Sequence, residues 1–188
     1  HDGPLAAVSL AADLGRFCRL DVRERFAALA RSNAQSHLRD SGPVHFTASA
    51  IVIDQDGTHL ALHFHRKVRA WLQFGGHIEP GESSFLEAAL RETREESGLH
   101  EFEVVGQAPL RLHAHELNSN FAACSEHWDV QYLLRVPFTA HDARDGLRVS
   151  DESDDLSWFP VDSLPEELVD DLYEVIEGPV RAAAHRSL

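Results

Sequence analysis

The sequence predicts an α+β fold, an α/β/α sandwich in which a mixed β-sheet lies between helices. Strand-like apolar runs occur on both sides of a well-marked helix that begins near Phe85 and ends at Gly98, and a second amphipathic helix is predicted after Ser163. The 188 residues are 43% hydrophobic, enough for one domain with a buried core. We predict that residues 45–188 form this domain and that residues 1–44 form a helical segment packed on it.

The N-terminal segment is predicted to be helical over residues 4–40. Asp21 is a suitable N-cap for a helix whose apolar residues repeat at i, i+4, i+7 and i+8. These residues are Val22, Phe26, Leu29 and Ala30. Ser41-Gly42-Pro43 then breaks the helix. Structural packing is the favoured role, with dimerisation or shaping of a substrate pocket as alternatives.

A β-hairpin is predicted next, because Asp54-Gln55-Asp56-Gly57 separates the apolar runs Phe46–Ile53 and Thr58–His65. Histidines alternate along its second strand, a pattern that could bind zinc but more often lies on a polar sheet face. The densest basic cluster of the chain follows the hairpin. We predict that Arg66, Lys67 and Arg69 contact substrate phosphates, with a solvated surface as the alternative.

The rest of the domain is predicted to add further strands and a last helix. The strands are Glu101–Val105, Leu110–Glu116, His127–Val136 and Leu156–Phe159. Asn118-Ser119-Asn120 is predicted to be a loop, and the acidic stretch Asp151–Asp155 a solvated one. The helix is predicted to begin at the cap residue Ser163 and to end at Gly178-Pro179.

The central feature is a glycine-rich loop that leads into a helix. Gly75 to Gly81 contains three glycines and one proline, so the loop turns sharply or brings its backbone close to another group. Phe85 begins a run of good helix formers, and Gly98 is placed to form the C-terminal αL cap.

Three carboxylates, Glu92, Glu95 and Glu96, fall on one face of this helix because they are spaced i, i+3 and i+4. Their mutual repulsion is costly unless cations offset it. Arg91 and Arg94 supply part of the positive charge, and a hard divalent ion such as Mg²⁺ or Mn²⁺ would supply the rest. The alternative is an ordinary acidic, solvated helix face.

The loop and helix together resemble the Nudix box of the MutT-like Nudix hydrolases. The spacing from Gly76 to Glu82 matches, and so does the order Arg91-Glu92, Glu95-Glu96, Gly98-Leu99. Two departures are present: one residue is inserted between Glu82 and Arg91, and Thr93 replaces the usual aliphatic residue. The insertion precedes the three glutamates and leaves their face intact.

The resemblance implies the Nudix fold and a Mg²⁺-dependent hydrolase that cleaves a diphosphate bond in a nucleoside diphosphate linked to another moiety. Mn²⁺ is a possible substitute. The implied metal ligands are the carboxylates of Glu92, Glu95 and Glu96, which are also catalytic, and the carbonyl of Gly75. Arg91 joins the catalytic set as the partner of a loop glutamate.

The resemblance also implies that Gly76, Glu82 and Gly98 shape the motif loop, with Glu82 the expected partner of Arg91. A later acidic residue often ligates metal or acts as the general base in proteins similar to this family. The candidates are Glu116, Glu126 and Asp129, beside the helix glutamates themselves.

A non-catalytic Nudix-fold module for ligand binding or regulation is the main alternative, although it would have little reason to retain clustered charge. Prenyl diphosphate isomerisation on the same fold would need a cysteine near the glycine loop, and none is present there. The substrate stays open. Possible pocket residues, each more typical of structural packing, are His63, His65, Trp71, Phe121 and Trp128.

The overall charge narrows the classes of partner. A formal net charge of −14 argues against non-specific binding to nucleic acid or to membranes, which requires a basic face. The two cysteines, Cys18 and Cys124, have no metal-ligand spacing, so a reducing cytoplasmic location is expected. A homodimer is possible.

Overall fold

The computed structural model describes residues 20–32, 44–106, 108–116, 126–142 and 147–184. Several predicted features lie outside these residues: the helical segments at 4–19 and 33–40, the break at 41–43, the loop at 118–120, Cys18, Phe121, Cys124 and the side chain of Glu116. Within the described part, no helix is long and apolar enough to span a bilayer.

The described chain begins with a helix and continues into a sheet of eight strands. The elements are α1 (Leu20–Ser32), β1 (Val44–Ile53), β2 (His59–His65), β3 (Ala70–Leu72), β4 (Phe74–His77), α2 (Phe85–Ser97), β5 (Glu103–Val104), β6 (Arg111–Glu116), β7 (Glu126–Arg135), β8 (Ser153–Pro160) and α3 (Asp170–Val175). A π-helical turn at Ile176–Val180 joins α3 to α4 (Arg181–Ala184).

The sheet is mixed, as predicted. Its main path runs β3-β2-β1-β7-β5, with β4 paired to β1, β6 to β7 and β8 to β2. The pairing of β1 with β7 is parallel over its whole length, and the other pairs are antiparallel. The central strand β1 is buried on both faces from His45 to Ile53, which explains its long apolar run.

Each face of the sheet is covered by a separate hydrophobic cluster. One cluster joins Phe46 and Phe74 to Phe26 of α1 and Phe85 of α2. The other joins the opposite face of β1 and β2 to Leu172 and its neighbours in the C-terminal helices. Helices on both faces confirm the predicted α/β/α layering.

The predicted hairpin is present, and its turn has a clear cause. The buried carboxylate of Asp54 accepts hydrogen bonds from the backbone N–H groups of Thr58 and His59, at 2.9 and 3.0 Å. Gly57 adopts a positive φ of 69°, a conformation that glycine allows at little cost.

The prediction for the last helix was wrong at both ends. The helix begins at Asp170, not after Ser163, because the backbone of Glu167 and Val169 pairs with Trp71 and holds this segment extended. Helical structure also continues past Gly178-Pro179, where a π-helical turn accommodates the proline before α4.

Candidate active site

Both ends of α2 are set by local capping, which fixes where its glutamates stand. The side chain of Ser84 accepts a hydrogen bond from the N–H of Glu87 at the N-terminus. At the other end, Gly98 has a φ of 73° and donates its N–H to the carbonyl of Arg94. The helix therefore runs from Phe85 to Ser97, as predicted.

Glu96 is the most buried member of the glutamate triad, with 5% of its surface exposed. Its Oε2 accepts a hydrogen bond of 2.8 Å from the N–H of Gly75 in the motif loop. Desolvation by burial raises the pKa of Glu96 to about 9, and the nearby charges of Glu92, Glu152 and Glu95 add to the rise. Without a cation, this carboxylate is held at a cost whenever it is ionised.

Glu92 lies against the second glycine of the loop. A Cβ atom on Gly76 would come within 2.7 Å of the Glu92 carboxylate, so a larger residue there would displace that carboxylate. Burial raises the pKa of Glu92, and its bond of 2.8 Å from Arg91 opposes that effect. Glu95 is the outermost of the three, with 59% of its side chain exposed.

Arg91 ties the helix to the loop. Its Nε donates to Glu82 at 2.7 Å, and its Nη2 donates to the carbonyl of His77 at 2.9 Å. Burial acts to lower the pKa of Arg91, but the hydrogen bonds that Arg91 donates to Glu82 and Glu92 outweigh it, so the net pKa is raised. The residue inserted between Glu82 and Arg91 therefore does not separate the pair.

Glu152 is a fourth carboxylate at the site, and the sequence analysis missed it. Its charge raises the pKa values of both Glu92 and Glu96, and its Oε2 lies 3.9 Å from Nε2 of His65. Its side chain is 71% exposed, so it can reach solvent and a bound molecule. The prediction of a solvated loop at Asp151–Asp155 was wrong from Ser153 onward, because β8 begins there and pairs with β2.

Among the three acids that the sequence offered as later metal ligands or bases, the structure describes the side chains of Asp129 and Glu126, and their surroundings differ. Asp129 is buried and accepts hydrogen bonds from the hydroxyls of Thr47, at 2.9 Å, and Ser49. Its carboxylate therefore has structural partners within the sheet. Glu126 is half-buried at the start of β7, opposite Glu116 in the strand register.

The predicted phosphate-binding residues follow β2, beside the segment that carries Glu152. Arg66 and Arg69 each bind the carboxylate of Asp154, through nitrogen–oxygen distances of 2.8 Å. Lys67 is exposed. The backbone N–H of Arg66 also donates to the carbonyl of Glu152, which links the basic cluster to the fourth carboxylate.

The aromatic and histidine side chains proposed for a pocket are mostly structural. His63 binds the Ser153 hydroxyl at 2.6 Å and the Gln73 carbonyl at 3.1 Å, and burial lowers its pKa to about 4, which keeps it neutral. Trp71 is packed in the core, and Trp128 contacts Phe26 of α1 with ring centroids 5.1 Å apart.

The donor set fits a hard divalent cation. Glu92 and Glu96 interact electrostatically with each other and with Glu95 and Glu152, burial raises the pKa of Glu92 and of Glu96, and Gly76 leaves room for the Glu92 carboxylate. Oxygen-only donors of this kind suit Mg²⁺ or Mn²⁺. Glu92, Glu95, Glu96 and Glu152 are the residues that would hold it.

We expect Gly76→Ala to lower kcat by about 10-fold to 100-fold, because the new methyl group displaces the Glu92 carboxylate by steric overlap. Gly81→Ala is the control for a mutation in the same loop, since a Cβ there meets nothing within 4 Å, although its φ of 97° adds some strain. Steady-state kinetics with Mg²⁺ measures the difference. Equal activity in Gly76→Ala and wild type would contradict the packing argument.

Comparison with known proteins identifies the family of the chain. The sequence model of the NUDIX domain matches residues 43–178, and no curated protein sequence matches the chain. The chain therefore belongs to the NUDIX family. It is a hydrolase that acts on phosphoric anhydride bonds.

Solved structures of several NUDIX proteins have the same fold. A NUDIX-family hydrolase from Clostridium perfringens is 21% identical, with a TM-score of 0.59, covering 73% of this chain and 97% of its own. A C. elegans Ap4A hydrolase is 16% identical, with a TM-score of 0.58 and coverages of 73% and 95%. A Streptococcus suis ADP-ribose pyrophosphatase is 19% identical, with a TM-score of 0.52 and coverages of 76% and 92%.

Proposed function

We propose that this protein is a Mg²⁺-dependent hydrolase that cleaves the pyrophosphate bond of a nucleoside diphosphate linked to another group. The observation that carries the proposal is the buried Glu96 carboxylate, held by the Gly75 N–H beside Glu92 and Glu152. When ionised, this cluster concentrates negative charge that a bound cation would neutralise. A bound diphosphate also carries negative charge, which the same cation would neutralise.

The chemistry divides between the ion and the side chains. When bound, a divalent cation neutralises phosphate charge and makes water more acidic. Glu92, Glu95 and Glu96 would bind the cation through their carboxylates. Arg91 keeps the loop and the helix at a fixed separation through its hydrogen bonds to Glu82 and Glu92. Positioning and charge neutralisation are the main tasks of a protein in phosphoryl transfer.

Glu152 is the residue that we propose for the proton acceptor or an additional metal ligand. Its side chain is exposed, and its charge acts on both Glu92 and Glu96. It also lies on a chain segment separate from α2. Asp129 is less suited to this role because hydroxyl donors already engage its carboxylate. A general base must reach solvent water near the reacting phosphorus.

The adjacent basic residues support an anionic, phosphate-bearing substrate. Arg66, Lys67 and Arg69 are exposed beside Glu152, and a diphosphate could take over the arginine bonds now made by Asp154. Three structural neighbours are an Ap4A hydrolase, an ADP-ribose pyrophosphatase and a dihydroneopterin triphosphate pyrophosphohydrolase, and the substrates in these names all contain phosphoanhydrides joined to a larger group. That common chemistry supports the substrate class.

The test is nucleotide and phosphate release from a panel of such compounds, with Mg²⁺ and with chelator. We expect Mg²⁺-dependent turnover of at least one dinucleoside polyphosphate, ADP-ribose-like compound, nucleotide sugar or nucleoside triphosphate. Ligand binding without turnover of any compound would instead favour a non-catalytic module.

We expect Glu152→Gln to reduce kcat by about 100-fold while KM changes little, because general-base catalysis is worth about 10²–10⁴-fold. Asp151→Asn, one residue away and also exposed, is the matched control. Asp129→Asn should reduce stability more than it reduces kcat. A normal kcat in Glu152→Gln would rule out the proposed role.

The remaining sequence-based expectations stay predictions. These are the division into residues 1–44 and 45–188, the cytoplasmic location, the possible homodimer and the absence of nucleic-acid or membrane partners.

A further inference from the structure

Three histidines from three neighbouring strands meet on one face of the sheet, apart from the glutamate cluster. His45 of β1 lies opposite His127 of β7 in the parallel register, and His77 of β4 lies opposite Thr47, two residues along β1. Side chains two residues apart on a strand share a face. The register therefore places all three imidazoles together, although their sequence positions give no hint of it.

The three rings form a nearly equilateral triangle. The distances between ring centroids are 4.9 Å for His45–His77, 5.0 Å for His45–His127 and 5.1 Å for His77–His127. One ligand atom from each ring can be chosen so that all three lie within 4.8 Å of one another. His45 is fully buried, and the other two are half-buried.

We propose that His45, His77 and His127 form a second metal site, selective for a borderline transition metal, with Zn²⁺ as the expected ion. Neutral imidazole nitrogen suits Zn²⁺, whereas the oxygen-only glutamate cluster suits Mg²⁺. A tetrahedral zinc ion with Zn–N bonds of about 2.0–2.1 Å needs nitrogen atoms about 3.3 Å apart. The ligand atoms lie within 4.8 Å of one another, so ring rotations that close the triangle by up to about 1.5 Å reach this spacing.

A fourth histidine lies next to the triangle. His115 extends the group, since its ring lies 5.6 Å from that of His127. Its buried Nδ1 has no hydrogen-bond partner within the described residues, so it is available as a fourth donor or as a ligand to a bound water.

The proposed site is mechanically connected to the motif loop. His77 directly follows Gly76, and its carbonyl accepts the hydrogen bond from Arg91. An ion at the triangle would fix the end of β4 against β1 and β7, and would hold the loop in place from the side opposite α2. Zinc there is structural, because the reacting carboxylates are a separate group.

The test is zinc binding by the purified full chain, measured by metal content after dialysis and by calorimetry in excess Mg²⁺. We expect about one tightly bound zinc per chain in wild type, lowered in affinity at least about 10-fold in His127→Gln and in His77→Gln. His100→Gln, which changes an exposed histidine, is the matched control. Glu96→Gln should leave this zinc in place, which separates the site from the proposed Mg²⁺ site.

A second measurement covers the case in which the histidine variants fold poorly. Co²⁺ bound by wild type in place of zinc should give the intense visible absorption of a tetrahedral nitrogen site. No zinc in wild type, a weak octahedral Co²⁺ spectrum, or zinc lost in Glu96→Gln but retained in His127→Gln would each overturn the proposal. Failure of hydrolysis on every substrate would leave it standing.

Discussion

Glu96→Gln is expected to lower kcat at least about 100-fold while making the metal-free protein more stable above neutral pH. The carboxylate of Glu96 accepts the Gly75 N–H and lies at the centre of the acidic cluster. A glutamine can accept the same hydrogen bond but carries no charge for a cation. Activity is measured by steady-state kinetics and stability by thermal unfolding in chelator.

The sign of the stability change follows from the raised pKa. The folded-state pKa of Glu96 is about 9, against an ordinary value of 4.5, so the folded protein keeps a proton that the unfolded chain releases. The free energy of unfolding therefore falls as pH rises between these values, and Glu96→Gln removes that loss. Glu103→Gln, on an exposed side chain of β5, is the control. Unchanged kcat in Glu96→Gln would be inconsistent with the assigned site.

Arg91→Lys is expected to cost about 2 kcal/mol of stability and to reduce activity by at least about 10-fold. One guanidinium now reaches Glu82, Glu92 and the His77 carbonyl together. A lysine ammonium has one nitrogen and cannot satisfy these separated acceptors. Chemical denaturation measures the loss.

Arg94→Lys is the matched control for Arg91→Lys, because Arg94 is an exposed arginine on the same helix. We expect it to change stability by less than about 0.5 kcal/mol. A double-mutant cycle with Glu82→Gln should show that Arg91 and Glu82 are coupled. Independent, additive effects of the two changes would show that the loop–helix tie is unimportant.

The features that the sequence predicted best are those determined by neighbouring residues. Asp54 and Gly57 form the hairpin turn through local bonds, and Gly98 ends α2 through its own φ angle. The Arg91–Glu82 pair was expected from the family motif, and the two residues are close in sequence. In each case the partners lie within about ten residues, so tertiary context adds little.

The features that the sequence missed depend on strand pairing across long separations. Glu152 precedes β8, whose pairing with β2 brings it close enough to raise the pKa values of Glu92 and Glu96, and its acidic neighbours in the sequence indicated only a solvated surface. The last helix starts late because Trp71 pairs with Glu167 and Val169, nearly a hundred residues away. Charge pattern alone cannot reveal either arrangement.

The most direct test of the metal site needs no substrate: the rise in unfolding temperature caused by Mg²⁺, measured at several pH values. A cation stabilises ionised Glu96 and displaces its proton, so the rise should grow between about pH 6 and about pH 9 and nearly vanish in Glu96→Gln. A rise that is independent of pH, or that persists in Glu96→Gln, would contradict the assignment of this cluster as the metal site.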